Sequence, residues 1–212
     1  MNEKLQWLRN KMASLDLQGF IITNPVNIRY LTNIEAEGIF LLTRKENIYI
    51  TDARYIEQVH TTLTLFDEII VYDAHDVSKD DYENFFLFCE NVGFEEYDIS
   101  YAKYKEYLRR FKIHNFVETE QMIEKQRMIK DEEEIHKLEK ACEITDNCYH
   151  YLLSYIKPGM TEKQIAYEIE EYYKKRTDGL AFETIVASRR KHIQTSCSTN
   201  RSKNTRKRYH YH

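Results

Sequence analysis

The chain has 212 residues, 42% of them hydrophobic, which allows a globular core in one or two domains. Its 31 basic and 35 acidic residues leave a net charge of −4, ordinary for a soluble cytoplasmic protein. Apolar runs such as Phe20–Thr23 and Gly38–Thr43 are far shorter than a membrane span, no apolar segment of signal-peptide type follows the first lysines, and Cys89, Cys142, Cys148 and Cys197 are too widely spaced for a zinc site or a disulfide framework.

Glu3–Leu15 places Leu5, Leu8, Met12 and Leu15 on one face of an expected helix. A short β-rich run, residues 19–23, ends at Asn24-Pro25, read as a turn. The runs 38–43 and 47–51, joined by Arg44-Lys45-Glu46, read as a β-hairpin. Asp52 stands at the start of a helix running to Leu63. Strands are expected at 68–72, 92–97 and 114–117, and helices at 80–89 and from a Ser100 cap to Lys112. Strands and helices alternate around an early hairpin, so this half predicts a mixed sheet covered by helices, an α/β domain.

The second half changes character. Asp131-Glu-Glu-Glu134 opens a long helix whose stripe runs through Ile135, Leu138, Cys142, Ile144 or Thr145, Cys148, Leu152 and Ile156 until Lys157-Pro158-Gly159 stops it. Thr161 and Gln164 fit a capping box for a helix reaching about Lys175. Residues 181–187 predict a strand. The expected organisation is a first domain at 1–119, a linker at 120–130, the beginning of a second domain at 131–188, and a tail at 189–212.

Several segments, in this order, resemble the Xaa-Pro peptidase family of aminopeptidase P, prolidase and creatinase. They are Asn24-Pro-Val-Asn-Ile-Arg-Tyr-Leu-Thr-Asn33, Ile50-Thr-Asp-Ala-Arg-Tyr-Ile-Glu-Gln58, Ile123–Ile135, Tyr155-Ile-Lys-Pro-Gly-Met-Thr-Glu162 and Phe182-Glu-Thr-Ile-Val-Ala-Ser188. The resemblance implies a creatinase-like mixed-sheet domain followed by a pita-bread (α+β) catalytic domain that hydrolyses the bond before proline. It also implies two divalent, manganese-like ions held by two aspartates, a histidine and two glutamates, since hard cations prefer oxygen ligands. Such paired ions activate a bridging water and polarise the scissile carbonyl. In the family all five ligands lie beyond the strand that ends here at Ser188, so no residue of this chain is assigned as catalytic, cofactor-binding or metal-ligating. The substrate implied for the whole enzyme is a peptide with proline in second position. A homodimer is a further expectation, and neither nucleic acid nor membrane is an expected partner. The alternative is a non-catalytic binding or oligomerisation module built on the first domain.

The tail departs from the family. Residues 189–212 hold eight of the Lys and Arg and none of the acids, which leaves 23 basic and 35 acidic residues before it, a net charge of −12. Back-translated with AT-rich codons and read one base later, this segment can encode a loop with Pro-His and an apolar strand, as the family has at this point. The expectation is therefore a truncated chain, frameshifted near codon 188 or 189 and inactive as it stands, with a tail of no selected role rather than a nucleic-acid arm.

Other chemistry-bearing residues read as structural. Cys142, Cys148 and His150 are expected as packing on one helix, and the Asp131–Glu134 run as a solvated cap favoured by the helix dipole. Asp52 and Arg54 are expected to form a structural joint, and Tyr82, Phe85, Phe86 and Phe88 to be core. His60, His75, His114 and His136 lack any nucleophile context. The apolar stripes of the last two helices have no complete sheet to cover, so the first domain is expected to fold alone and residues after about 130 to be marginal or self-associating.

Overall fold

The three apolar runs nearest the N-terminus become the middle of a sheet. In a computed structural model, which describes residues 3–63 and 69–187, they are β1 (Gly19–Ile22), β2 (Gly38–Thr43) and β3 (Asn47–Thr51). With β4 (Ile69–Asp73), β5 (Asn91–Phe94) and β6 (Asn115–Glu118) they form a six-stranded sheet in the order β4-β3-β2-β1-β5-β6. β1–β2 and β2–β3 pair antiparallel, while β3–β4, β1–β5 and β5–β6 pair parallel. The sheet is thus mixed, with the hairpin at its centre. Thr43 closes that hairpin, its Oγ1 accepting from Lys45 N at 3.2 Å and Glu46 N at 2.9 Å.

Strand alternation divides the core into two layers. Phe20, Ile22, Phe40, Leu42 and Tyr49 point to one face, against Leu5, Leu8 and Met12 of α1 (Glu3–Ser14) and Ile28 and Leu31 of α2 (Pro25–Thr32). Ile21, Leu41, Ile48 and Ile50 point to the other, against Tyr82 and Phe86 near α4 (Lys79–Asn84) and Tyr107 and Phe111 at α5 (Tyr101–Arg110). Each fully buried Phe or Ile contributes about 1.5–3 kcal/mol. At Gly38 a Cβ would lie 2.5 Å from the Tyr49 ring and 2.7 Å from the Ile50 carbonyl oxygen, so only glycine lets Tyr49 lie across β2 and donate to the Ala36 carbonyl at 2.6 Å.

Several expectations need correction. Asn24-Pro25 starts a helix, α2: the Asn24 side chain accepts from Val26 N and Asn27 N, and Pro25 takes the first turn, where its missing N–H costs nothing. Leu15 lies beyond α1 and is exposed, because left-handed Asp16 turns the chain and Leu17 becomes the buried residue. The helix expected at 80–89 ends at Asn84, and Phe88 is 91% exposed while Tyr82 and Phe86 are buried. Asp52 caps a 3-10 turn (Ala53–Tyr55) that leads into α3 (Ile56–Thr62). Residue 68, the expected first residue of β4, lies outside the described residues. The segment 120–130 is not a linker: it contains α6 (Met122–Met128), whose Met122 and Ile123 are buried in the first core layer. The first compact unit accordingly runs to Ile129 and the second begins at Lys130.

The second unit contains α7 (Glu132–Tyr155) and α8 (Glu162–Lys174). Both begin in complete capping boxes, Asp131 with Glu134 and Thr161 with Gln164. The helices meet where Tyr151 Oη donates to Glu168 Oε1 at 2.6 Å and the Tyr151 and Tyr172 rings stack at 5.4 Å. Along the α7 stripe Cys148 is buried, whereas Ile135, Leu138 and Cys142 are exposed. The expected strand at 181–187 is irregular chain. A strand is a ladder with a neighbour, and no described strand of this unit offers one. The tail and Cys197 lie outside the described residues.

Candidate functional site

The C-terminal ends of β1 and β5, parallel and adjacent, are where an α/β sheet opens a crevice. Glu95 stands there, directly after β5, and is buried. Its Oε2 accepts from Thr23 N at 2.7 Å and Asn24 N at 2.8 Å, and its Oε1 from Asn27 Nδ2 at 2.6 Å. Burial pushes the Glu95 carboxyl up from its ordinary value, opposed by these hydrogen bonds. Asn27, fully buried on α2, also donates to Glu124 Oε1 at 2.6 Å and accepts from Arg127 at 2.8 Å. The next residue, Glu96, turns to the other side and accepts from Thr119 N and Gln121 N at the start of α6. One asparagine and two glutamates therefore join α2, β5 and α6.

This junction brings together two of the sequence segments singled out above, around Asn24–Asn33 and Ile123–Arg127. The cleft beside it is lined by Phe20, Glu95, Asp98, Thr119 and Glu124 among others, and its volume is about 50 Å3. That admits a water or two, whereas sites for small organic ligands run to about 300–1,000 Å3. The acids here are occupied with backbone, amide and hydroxyl donors, so the junction is architectural.

A second group lies at the end of β3. Asp52 Oδ1 accepts from Arg54 N at 3.0 Å and Arg54 Nε at 2.8 Å, and His75 Nε2 lies 3.7 Å from its Oδ2. The Arg54 side chain, then its backbone N–H, pull the Asp52 carboxyl down to about 2. Arg54 and His75 are exposed, and the pair is the expected joint between strand and helix.

His60, His75, His114 and His136 are dispersed and exposed. Burial pushes the Cys148 thiol up, opposite to the activation a nucleophile needs, and the Cys142 thiol is exposed on α7. Among the described residues, no group of three or more His, Cys, Asp or Glu could hold a metal ion. The residues described thus do not fit a two-metal centre. No described helix is long and apolar enough to cross a membrane.

Residues 4–129 match the Creatinase/Prolidase N-terminal domain, and residues 136–206 match Metallopeptidase family M24. The chain belongs to the Xaa-Pro peptidase family. The M24 match continues past Ser188 into the segment expected as frameshifted, which lies outside the described residues. Within the family, the chain is 33% identical over 189 residues to the uncharacterized peptidase YqhT of Bacillus subtilis, covering 87% of this chain and 53% of that one. It is similar to the Xaa-Pro dipeptidase from Bacillus anthracis at 28% identity and a TM-score of 0.72, over 82% of this chain and 49% of that one. The X-Pro aminopeptidase from Thermotoga maritima shares the fold, with a TM-score of 0.81 at 24% identity over 95% of this chain and 58% of that one. The chain spans about half the length of the curated relatives it matches.

Proposed function

We propose that this chain is the amino-terminal portion of a metal-dependent peptidase that hydrolyses the bond before a proline in second position, and that the 212 residues alone are inactive. The observation that carries the reading is the order of the two family matches, a creatinase/prolidase N-terminal domain at 4–129 followed directly by an M24 segment from 136. Similarity to a dipeptidase named for Xaa-Pro substrates supports the substrate class. The proposed metals are two divalent ions, and the residues that bind them are proposed to lie outside those described here. A cytoplasmic location accords with free thiols at Cys89, Cys142 and Cys148.

The test is hydrolysis of an Xaa-Pro dipeptide and of a longer Xaa-Pro peptide by the chain, with manganese and with chelator. No turnover above the chelated control is expected; metal-dependent turnover would show that these residues suffice. Sequencing the gene from the Phe182 codon onward decides the frame. Restoration by one base of a Pro-His loop and downstream Asp, Asp, His, Glu and Glu is the expected result. An uninterrupted frame through residue 206 that matches the family as it stands would remove the frameshift.

A further inference from the structure

We infer that Tyr151 and Tyr155 form an oxidation site, where a one-electron oxidant joins the two rings as a dityrosine within α7. The site is built around one acceptor. Tyr151 Oη donates to Glu168 Oε1 at 2.6 Å, and the Tyr155 hydroxyl is a second hydrogen-bonding partner of the same carboxylate. The two rings stack with their centroids 5.6 Å apart and their planes 27° from parallel. Phenols that converge on one carboxylate bring together the ring carbons next to their hydroxyls, and those are the carbons a dityrosine bond joins. Tyr151 first, then Tyr155, hold the Glu168 carboxyl below its ordinary value, so at neutral pH it is ionised and can take a phenolic proton.

Electrostatics select this pair from the other ring contacts. An electron leaves a phenol more easily beside an anion that accepts its proton, and less easily under a cation on the ring face. Tyr172 also stacks on Tyr151, at 5.4 Å, but the Arg176 guanidinium lies 3.7 Å from its ring centroid. In the first unit Tyr101 and Tyr104 stack at 6.3 Å, and there Lys105 Nζ stands 4.7 Å from the Tyr101 centroid. Tyr151 and Tyr155 are half-buried, which favours coupling within one molecule, whereas Tyr97 and Tyr101 are 80% and 74% exposed. In the reaction two oxidant molecules take one electron each, and the two phenolic protons leave by way of Glu168 to water. The phenoxyl radicals then form one carbon–carbon bond, and the ring hydrogens at that bond move to the oxygens and restore both hydroxyls. The product ties together the last turn of α7, just before Lys157-Pro158-Gly159.

The test is a limiting dose of radiolytic azide radical, a neutral one-electron oxidant that surface charge does not steer, on the dilute whole chain. A Trp7→Phe background removes the single indole as a competing electron donor. Dityrosine fluorescence and peptide mass spectrometry read the product. The tryptic peptide of residues 141–163 is expected to be the first to lose two hydrogens, and to give no fragments from breaks between Tyr151 and Tyr155. Glu168→Gln, with the circular dichroism unchanged, is expected to lower the yield about tenfold, the worth of one hydrogen bond to a charged group. Arg176→Gln is expected to add a Tyr151–Tyr172 link. A first product at Tyr101–Tyr104, or cross-linked copies in place of an internal link, overturns the inference. So does a yield that Glu168→Gln leaves unchanged. If that variant loses helix, the contest between the two tyrosine pairs with Glu168 in place decides alone.

Discussion

The two units are built from equally clear helix signals but differ in what those helices cover. In residues 1–129 every long apolar stripe finds a sheet face, and the two layers bury Phe20, Phe40, Tyr49 and Phe111 almost completely. In the second unit α7 is twice the length of α1, yet Cys148 is its one buried residue, and Leu138 stays 52% exposed. Caps and side-chain pairs within a helix contribute a few tenths to about one kcal/mol each, whereas a buried aromatic contributes several times more. Well-capped helices are thus not by themselves a stable domain.

The largest break in that comparison is mechanical. Limited proteolysis is expected to cut first within residues 130–187 and to leave a resistant fragment ending near Ile129; a resistant fragment that includes α7 and α8 would remove the difference. Core truncation should follow the same line. Phe40→Ala, at a fully buried site in β2, is expected to cost about 3–5 kcal/mol in urea unfolding of the first unit, against about 0.5 kcal/mol or less for Leu138→Ala on α7. Equal costs would mean that the α7 stripe is covered in solution.

A smaller loss tests the junction between α2, β5 and α6. Asn27→Ala strips donors from Glu95 and Glu124 and the acceptor from Arg127, at an expected cost of about 2–3 kcal/mol in the same unfolding experiment. Thr161→Ala removes the acceptor for Gln164 N and should cost α8 about 1 kcal/mol, read as faster amide exchange in its first turn. The smallest effect is electrostatic. Asp52 is expected to titrate at about 2 by carboxyl chemical shift and to return toward 3.8 in Arg54→Ala. A depressed folded-state value means that this contribution is complete above the unfolded value of 3.8 and fades as pH falls through about 2. An unshifted Asp52 would remove the joint.

Legibility followed distance along the chain. Ser100, Asp131 and Thr161 accept from backbone N–H groups three residues on, and all three helix starts were readable. The hairpin was readable for the same reason, with its turn at Thr43–Glu46. The signal for α2 is local but ambiguous: Asn-Pro reads as a turn, yet Asn as cap and Pro in the first turn also begin a helix. The junction had no comparable signal. Glu95 lies 68 residues from Asn27, and Arg127 lies 100 residues from it.

The family, the caps at Ser100, Asp131 and Thr161, the hairpin and the mixed α/β class were legible in the sequence, since each rests on contacts within a few residues or on an ordered set of segments. The tertiary structure was needed to show that Met122–Met128 is a packed helix, that Phe88 points to solvent while Phe86 is core, and that residues 181–187 form no strand. Those outcomes depend on whether a partner surface stands opposite, and an apolar pattern states only that a residue can be buried, not what there is to bury it.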